Sequence, residues 1–207
     1  MPFPARILSS FLAALNLASI RPKRILLQTG LKNYGVHQGP VTTPCREHDP
    51  RVELDGQANF YYAQEDVLFA HCASHKDTSW TITMPSFILG AVKGSDMTTF
   101  LPLALYASVQ RKLGRPMRFP GDWAAWEKML PMSTGKLNSW FHEWVVLQSQ
   151  TAGERFNIVD SSDFSWGRAW PVVAGWFGMG WEGPVEEADG EGHRVYEDVE
   201  MPVRPRG

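Results

Sequence analysis

Two short β-favouring runs, "RILLQ" at 24–28 and "SWTITMP" at 79–85, constrain the fold most strongly, because each follows a helical segment. Residues 7–20, "ILSSFLAALNLASI", place Leu8, Phe11, Leu12, Leu15 and Ile20 mostly at helical spacing, with Ser9, Ser10 and Asn16 off that face. A basic turn, "RPKR", ends that helix. A loop marked by Pro40, Pro44 and Pro50 fills 35–56. Residues 57–75, "QANFYYAQEDVLFAHCASH", carry Phe60, Val67, Leu68 and Phe69 among helix-favouring Ala, Gln and Glu, and predict a second helix. The second strand is stopped by Pro85. Helix, strand, loop, helix and strand over 6–85 suit parallel strands joined by crossover helices, so the expected class is α/β.

The pattern changes after "SFILGAVKGSD". "MTTFLPLALYASVQRKLG" predicts a helix with Pro102 inside it, closed by Gly114. "RPMRFPGDWAAWEKM" reads as turn-rich, and "STGKLNSWFHEWVVLQSQ" as an amphipathic helix with a Ser/Thr cap. "ERFNIVDSS" is a third strand, and "FSWGRAWPVVAGWFGMGW" a helix interrupted by Pro171. The expected organisation is an α/β segment over 1–100, a helical region over 101–153, a returning strand over 154–165, a helix over 166–181 and a loose acidic tail over 182–207. All nine tryptophans lie at or after Trp80, eight of them at or after Trp123. Such a cluster fills the core of a small helical subdomain, and the same rings serve as the wall of an apolar pocket.

Charge and cysteine content narrow the function classes. The 20 basic and 22 acidic residues leave a net charge of −2, with no basic field to attract nucleic acid or an anionic membrane. Two cysteines, Cys45 and Cys72, supply no disulfide framework, which points to a reduced, cytoplasmic setting. The segment 7–20 is too short and too polar to span a bilayer, and only faintly resembles a signal peptide. Cys45, His48, His71, Cys72 and His75 have gaps reminiscent of zinc ligands, but three would share one helix, so the expectation is surface histidines and no metal. No G-x-G-x-x-G turn is present: "TGLKNYG", "GMGWEG" and "MSTGK" each lack the spacing or the setting of a phosphate loop.

The residues able to carry chemistry are Lys32, Tyr34, Tyr61 and Tyr62. A nearby ammonium favours a phenolate, and a Lys/Tyr pair can donate a proton to a carbonyl oxygen or stabilise an enolate formed there. Lys32 follows a strand end, where open α/β sheets bind ligands. Tyr61 lies in the helix leading to the next strand. Spacing alone leaves two readings open, a catalytic pair or aromatic residues in a helix. The usual short-chain dehydrogenase pattern places Lys four residues after Tyr, where Glu65 stands here.

The blocks "LLQTGLKNYG", "NFYYAQEDVL", "SWTITMPSFILG", "RPMRFPGDWAAWE" and "RFNIVDSSDFSWGRAWPVVAGWFG" occur in the order expected of the progesterone 5β-reductase/iridoid-synthase-like reductases. These are atypical short-chain dehydrogenases, and the chain resembles their fungal members over about residues 6–183. The resemblance implies the C-terminal part of a Rossmann-like parallel sheet plus a mainly helical, Trp-rich substrate-binding subdomain. It implies reduction of an enone C=C bond by NADPH, with a hydrophobic small-molecule substrate from secondary metabolism. Tyr61 matches the tyrosine that serves the enolate oxygen, and Lys32 the lysine of the "TG.K.Y" block. Lys32, Tyr61, Pro85 and Ile88 would border the nicotinamide. Met84 stands where the family usually has arginine.

Against the family pattern the chain reads as truncated at both ends and without the pyrophosphate cradle. NADPH would then bind poorly to the chain alone, since helix N-terminal N–H groups supply much of phosphate recognition. A homo- or hetero-oligomer would complete the nucleotide half. The alternatives are a non-redox isomerase or cyclase using the same pair, and an inactive pseudoenzyme acting as a binding partner.

Overall fold

The structure is a computed structural model that describes residues 1–52, 59–92, 94, 98–161 and 164–185. In chain order it contains α1 (Phe3–Leu17), β1 (Arg24–Gln28), α2 (Phe60–Ser74), β2 (Ser79–Pro85), β3 (Phe87–Leu89), α3 (Phe100–Lys112), β4 (Met117–Arg118), α4 (Trp123–Glu127), β5 (Met132–Thr134), α5 (Gly135–Leu147), β6 (Glu154–Ile158), α6 (Trp166–Trp176) and β7 (Trp181–Glu182). Short 3-10 turns cover Leu31–Tyr34 and Ser149–Thr151. The chain divides into two compact units, Met1–Pro102 with Pro131–Ser162, and Leu103–Leu130 with Asp163–Gly207. The stretch 101–153, grouped by sequence as one helical region, is shared between them: α4 and most of α3 lie in the second unit, α5 in the first.

The first unit is built on a parallel sheet of order β1-β2-β6. Arg24 pairs with Ser79 and Gln28 with Thr83; on the other side Thr81 pairs with Glu154 and Pro85 with Ile158. Both faces of β2 are buried, as parallel strands require. One face sends Ile82 and Met84 into a cluster with Ile25, Leu27, Tyr34, Leu68, Cys72 and Leu12. The other buries Thr81 and Thr83, which find partners in the Thr151 carbonyl (2.8 Å) and the His142 ring (3.0 Å). Arg24 reaches across this face to the carbonyls of Val145 and Gln148, satisfying the C-terminal end of α5. The strands predicted at 24–28 and 79–85 are thus β1 and β2, with the same ends. Beside this sheet β3 and β5 form a parallel pair, Phe87 opposite Met132.

The second unit has an aromatic core. Trp170 is fully buried and its indole N–H donates to the Met117 carbonyl at 2.8 Å. Phe119 meets the Trp170 and Trp126 rings edge-on at 5.0 and 5.1 Å. Trp126 lies against Gly167, where a Cβ would stand 2.8 Å from the indole nitrogen. Pro171 lies inside α6 without ending it, and the helix runs on to Trp176. The predicted core role suits Trp126, Trp166 and Trp170. It does not extend to Trp140, Trp144, Trp176 and Trp181, which are exposed.

Some local expectations change. The stretch read as turn-rich holds β4 and the short helix α4, whose start is capped by Asp122 accepting from the Ala125 N–H at 2.6 Å. Glu182, placed at the head of the acidic tail, lies in β7 and ion-pairs with Arg118 at 2.8 Å. The rest of that tail, from 186 onward, lies outside the described residues, as do positions 53–58 of the predicted loop and second helix. Among the described residues no helix is long and apolar enough to cross a membrane. Cys45 and Cys72 are free thiols.

Candidate active site

The site begins where β1 ends. Thr29 continues the ladder through its N–H to the Thr83 carbonyl at 2.8 Å, and the chain then turns through Gly30 into the 3-10 turn that holds Lys32. Gly35, at φ +78°, closes the turn in the left-handed region that favours glycine. Lys32 is exposed, whereas Asn33 and Tyr34 are buried. The helix facing this turn, α2, starts at Phe60 because Asn59 accepts from the Tyr61 N–H at 3.0 Å.

Tyr61 projects back toward the strand ends. A Cβ built on Gly30 would lie 3.5 Å from the Tyr61 hydroxyl and 3.4 Å from the Pro85 carbonyl oxygen. Gly30, Tyr61 and Pro85 therefore converge at the carboxyl ends of β1 and β2, the edge at which open α/β sheets bind ligands. The Lys32 ammonium lies 5.8 Å from the Phe60 ring centroid, and that ring is 4.4 Å from the Tyr61 ring. The structure thus brings Lys32, Tyr61 and Pro85 into one neighbourhood. Ile88 lies further along, in β3 opposite Ser133, with its side chain partly exposed.

The other two tyrosines are committed elsewhere. Tyr62 donates its hydroxyl to the Asn33 carbonyl at 2.6 Å and accepts from the Val52 N–H at 3.0 Å. Tyr34 donates to Asn157 at 2.8 Å, and burial pushes its phenol up to about 12. The Tyr61 hydroxyl, in contrast, has no hydrogen-bond partner among the described residues. Burial raises its phenol above the usual value, with no opposing pull from a cation. The expected lowering by Lys32 is absent because the ammonium is exposed and turned over Phe60. A phenol held neutral is a proton donor at physiological pH.

Sequence reasoning passed over the residues that set this geometry. Glu65, four positions after Tyr61, is fully buried. It accepts from Asn33 Nδ2 at 2.9 Å and forms ion pairs with Arg51 and Arg155, each at 2.9 Å. Asn59 donates through Nδ2 to the Lys32 carbonyl at 2.7 Å. Asn59, Tyr62 and Glu65, all at the start of α2, therefore clamp the turn that carries Lys32. The sequence signals were an Asn in the cap position and an acidic residue on the Tyr61 face of the helix. Beside the clamp is a cavity of about 280 Å³ whose lining includes Asn33, Tyr62, Glu65, Met84 and Arg155. The second unit carries its own open cavity of about 600 Å³, lined by Trp126, Glu127, Met129, Ser165, Gly167 and Arg168.

The nicotinamide end of a dinucleotide fits the first site by its chemistry. Gly30 leaves the floor between Tyr61 and Pro85 free of a side chain, and Lys32 supplies a cation at its rim.

Comparison with known proteins concerns the chain as a whole. Residues 7–201 match the family model described as a PRISE-like Rossmann-fold domain. An uncharacterized protein of Schizosaccharomyces pombe is 42% identical over 175 residues, covering 83% of this chain and 43% of that protein. The 3-oxo-Delta(4,5)-steroid 5-beta-reductase of Arabidopsis thaliana is 32% identical over 193 residues, covering 86% of this chain and 48% of that enzyme. The chain spans less than half the length of these curated relatives. Among solved structures, a short-chain dehydrogenase/reductase superfamily protein from Agrobacterium tumefaciens with bound NAD superposes with a TM-score of 0.63 at 15% identity, over 86% of this chain and 59% of that one. That likeness concerns the fold alone. With a parallel sheet, a strand-end tyrosine and a family match along nearly its whole length, the chain belongs to the PRISE-like family of Rossmann-fold proteins.

Proposed function

We propose that this chain provides the proton-transfer and substrate-handling part of a cytosolic, nicotinamide-dependent reductase acting on the C=C bond of a hydrophobic enone. The observation that carries the reading is the Tyr61 hydroxyl, set beside Gly30 and the Pro85 carbonyl at the sheet's carboxyl edge with no partner among the described residues. NADPH, when bound, supplies the hydride that the enone takes up at its β-carbon. Tyr61 donates its proton to the enolate oxygen that results, and regains one from solvent. Burial keeps that phenol protonated until negative charge develops beside it. Lys32 contributes positive charge at the rim, which stabilises the enolate oxyanion. Lys32, Tyr61, Pro85 and Ile88 would hold the nicotinamide end.

No G-x-G-x-x-G turn lies within these 207 residues, which span less than half of the curated relatives, so the diphosphate would be held by a nucleotide half outside them, a partner chain in an oligomer being one source. The family match and the steroid reductase relative support the reading. Calorimetric titration tests it: NADPH should bind the purified chain weakly, in the millimolar range. A chain that takes up no NADPH at millimolar cofactor, alone or as an oligomer, contradicts it.

A further inference from the structure

Asn59 is almost fully buried and uses both ends of its amide. Its Oδ1 accepts from the Tyr61 N–H at 3.0 Å, and its Nδ2 donates to the Lys32 carbonyl at 2.7 Å. One side chain thus joins the backbone of the lysine's turn to the helix position that carries the tyrosine. Tyr62 and Glu65 also hold the turn, but they act on Asn33. Among the described residues Asn59 is the only side chain that bonds the Lys32 backbone.

We propose that Asn59 is a positioning residue. Its Nδ2 donor sets Lys32 relative to Tyr61, a role separate from the helix cap made by its Oδ1. The Lys32 side chain is exposed, so where its ammonium meets the Phe60 ring is set by the placement of its backbone. The kinetic consequence rests on the reductase reading; the structural consequence does not. Phe60 directly follows Asn59, so releasing the Lys32 carbonyl lets the ammonium drift from the ring it now sits over.

The two roles separate by substitution. Asn59→Asp and Asn59→Ser keep an oxygen able to cap α2 but remove the Nδ2 donor, whereas Asn59→Ala removes both. Three readouts follow: thermal unfolding, kcat and KM for an enone, and nuclear magnetic resonance of isotopically methylated lysines. The Lys32 resonance is assigned by its loss in Lys32→Arg, and the Phe60 ring current shifts it. In Asn59→Ser and Asn59→Asp the Lys32 ring-current shift should be lost while the helix cap remains, and Asn59→Ser should unfold above Asn59→Ala. Their kcat should fall about tenfold to hundredfold with KM little changed, the mark of a misplaced group rather than lost binding. Asn59→Ala should also unfold at lower temperature. A Lys32 resonance unmoved in both cap-preserving variants overturns the proposal. Should the wild-type chain turn over no enone, the reductase reading fails, and the Lys32 resonance alone decides the role of Asn59.

Discussion

Tyr61 and Tyr62 are consecutive in α2, yet the Tyr62 hydroxyl both donates and accepts a hydrogen bond while the Tyr61 hydroxyl has no partner among the described residues. The two phenols should therefore fail differently. Tyr61→Phe removes no internal bond and should unfold within about 0.5 kcal/mol of wild type, while enone reduction falls by about 100-fold or more. Tyr62→Phe takes its donor from the part-buried Asn33 carbonyl and leaves the exposed Val52 N–H to water, and should cost about 1 kcal/mol in a denaturant titration. Paired stability and rate measurements on the two variants check this.

Lys32 is exposed, so its removal should be felt in chemistry and not in folding. Lys32→Met should keep the wild-type denaturation midpoint and lower kcat/KM by about 100-fold, through lost stabilisation of developing negative charge. Steady-state kinetics beside a denaturation curve make the comparison.

Glu65 is the reverse case. Its carboxylate is buried between Arg51, Arg155 and Asn33, which come from the loop, β6 and the Lys32 turn. Glu65→Ala leaves those groups without their shared acceptor and should destabilise the first unit by about 3 kcal/mol. Glu65→Gln keeps an acceptor oxygen and should cost less, about 1–2 kcal/mol. Urea midpoints measure both.

Tyr34 gives the chain a signature at alkaline pH. Its phenol is raised to about 12, mainly by burial. The unfolded chain ionises this group near the ordinary tyrosine value, about 10. The contribution of a neutral Tyr34 is therefore complete below that value and lost as pH rises from it toward 12. Unfolding curves across this window should show stability falling. Tyr34→Phe should remove Tyr34's share of the slope, while losing the Asn157 hydrogen bond costs about 1 kcal/mol at neutral pH.

The elements best read from sequence are those that local chemistry dictates. "RILLQ" and "SWTITMP" are β-favouring throughout because both faces of their sheet are covered, and no solvent side blurs the pattern. The start of α2 moved to Phe60 because the side chain of Asn59 caps it there. The strands β3, β5 and β7 are too short to show a period, and their pairing is long-range. Within the site, residue type and family likeness singled out Lys32 and Tyr61, and the fold sets both near the carboxyl ends of β1 and β2. Residue type alone left Tyr61 and Tyr62 equal and the family likeness favoured Tyr61; the fold adds that the Tyr62 hydroxyl is engaged. The clamp was hidden for a related reason: Glu65 meets Arg155 from 90 residues away, and no helical spacing encodes that contact.

The central claim is that Tyr61 protonates an enolate formed by reduction. Enone-dependent consumption of NADPH, at millimolar cofactor and with the saturated ketone quantified, tests it most directly when wild type, Tyr61→Phe and Tyr62→Phe are compared. The account predicts turnover by wild type and by folded Tyr62→Phe, and its near-complete loss in Tyr61→Phe. Equal turnover by Tyr61→Phe and wild type, or no NADPH consumption by wild type, would contradict it.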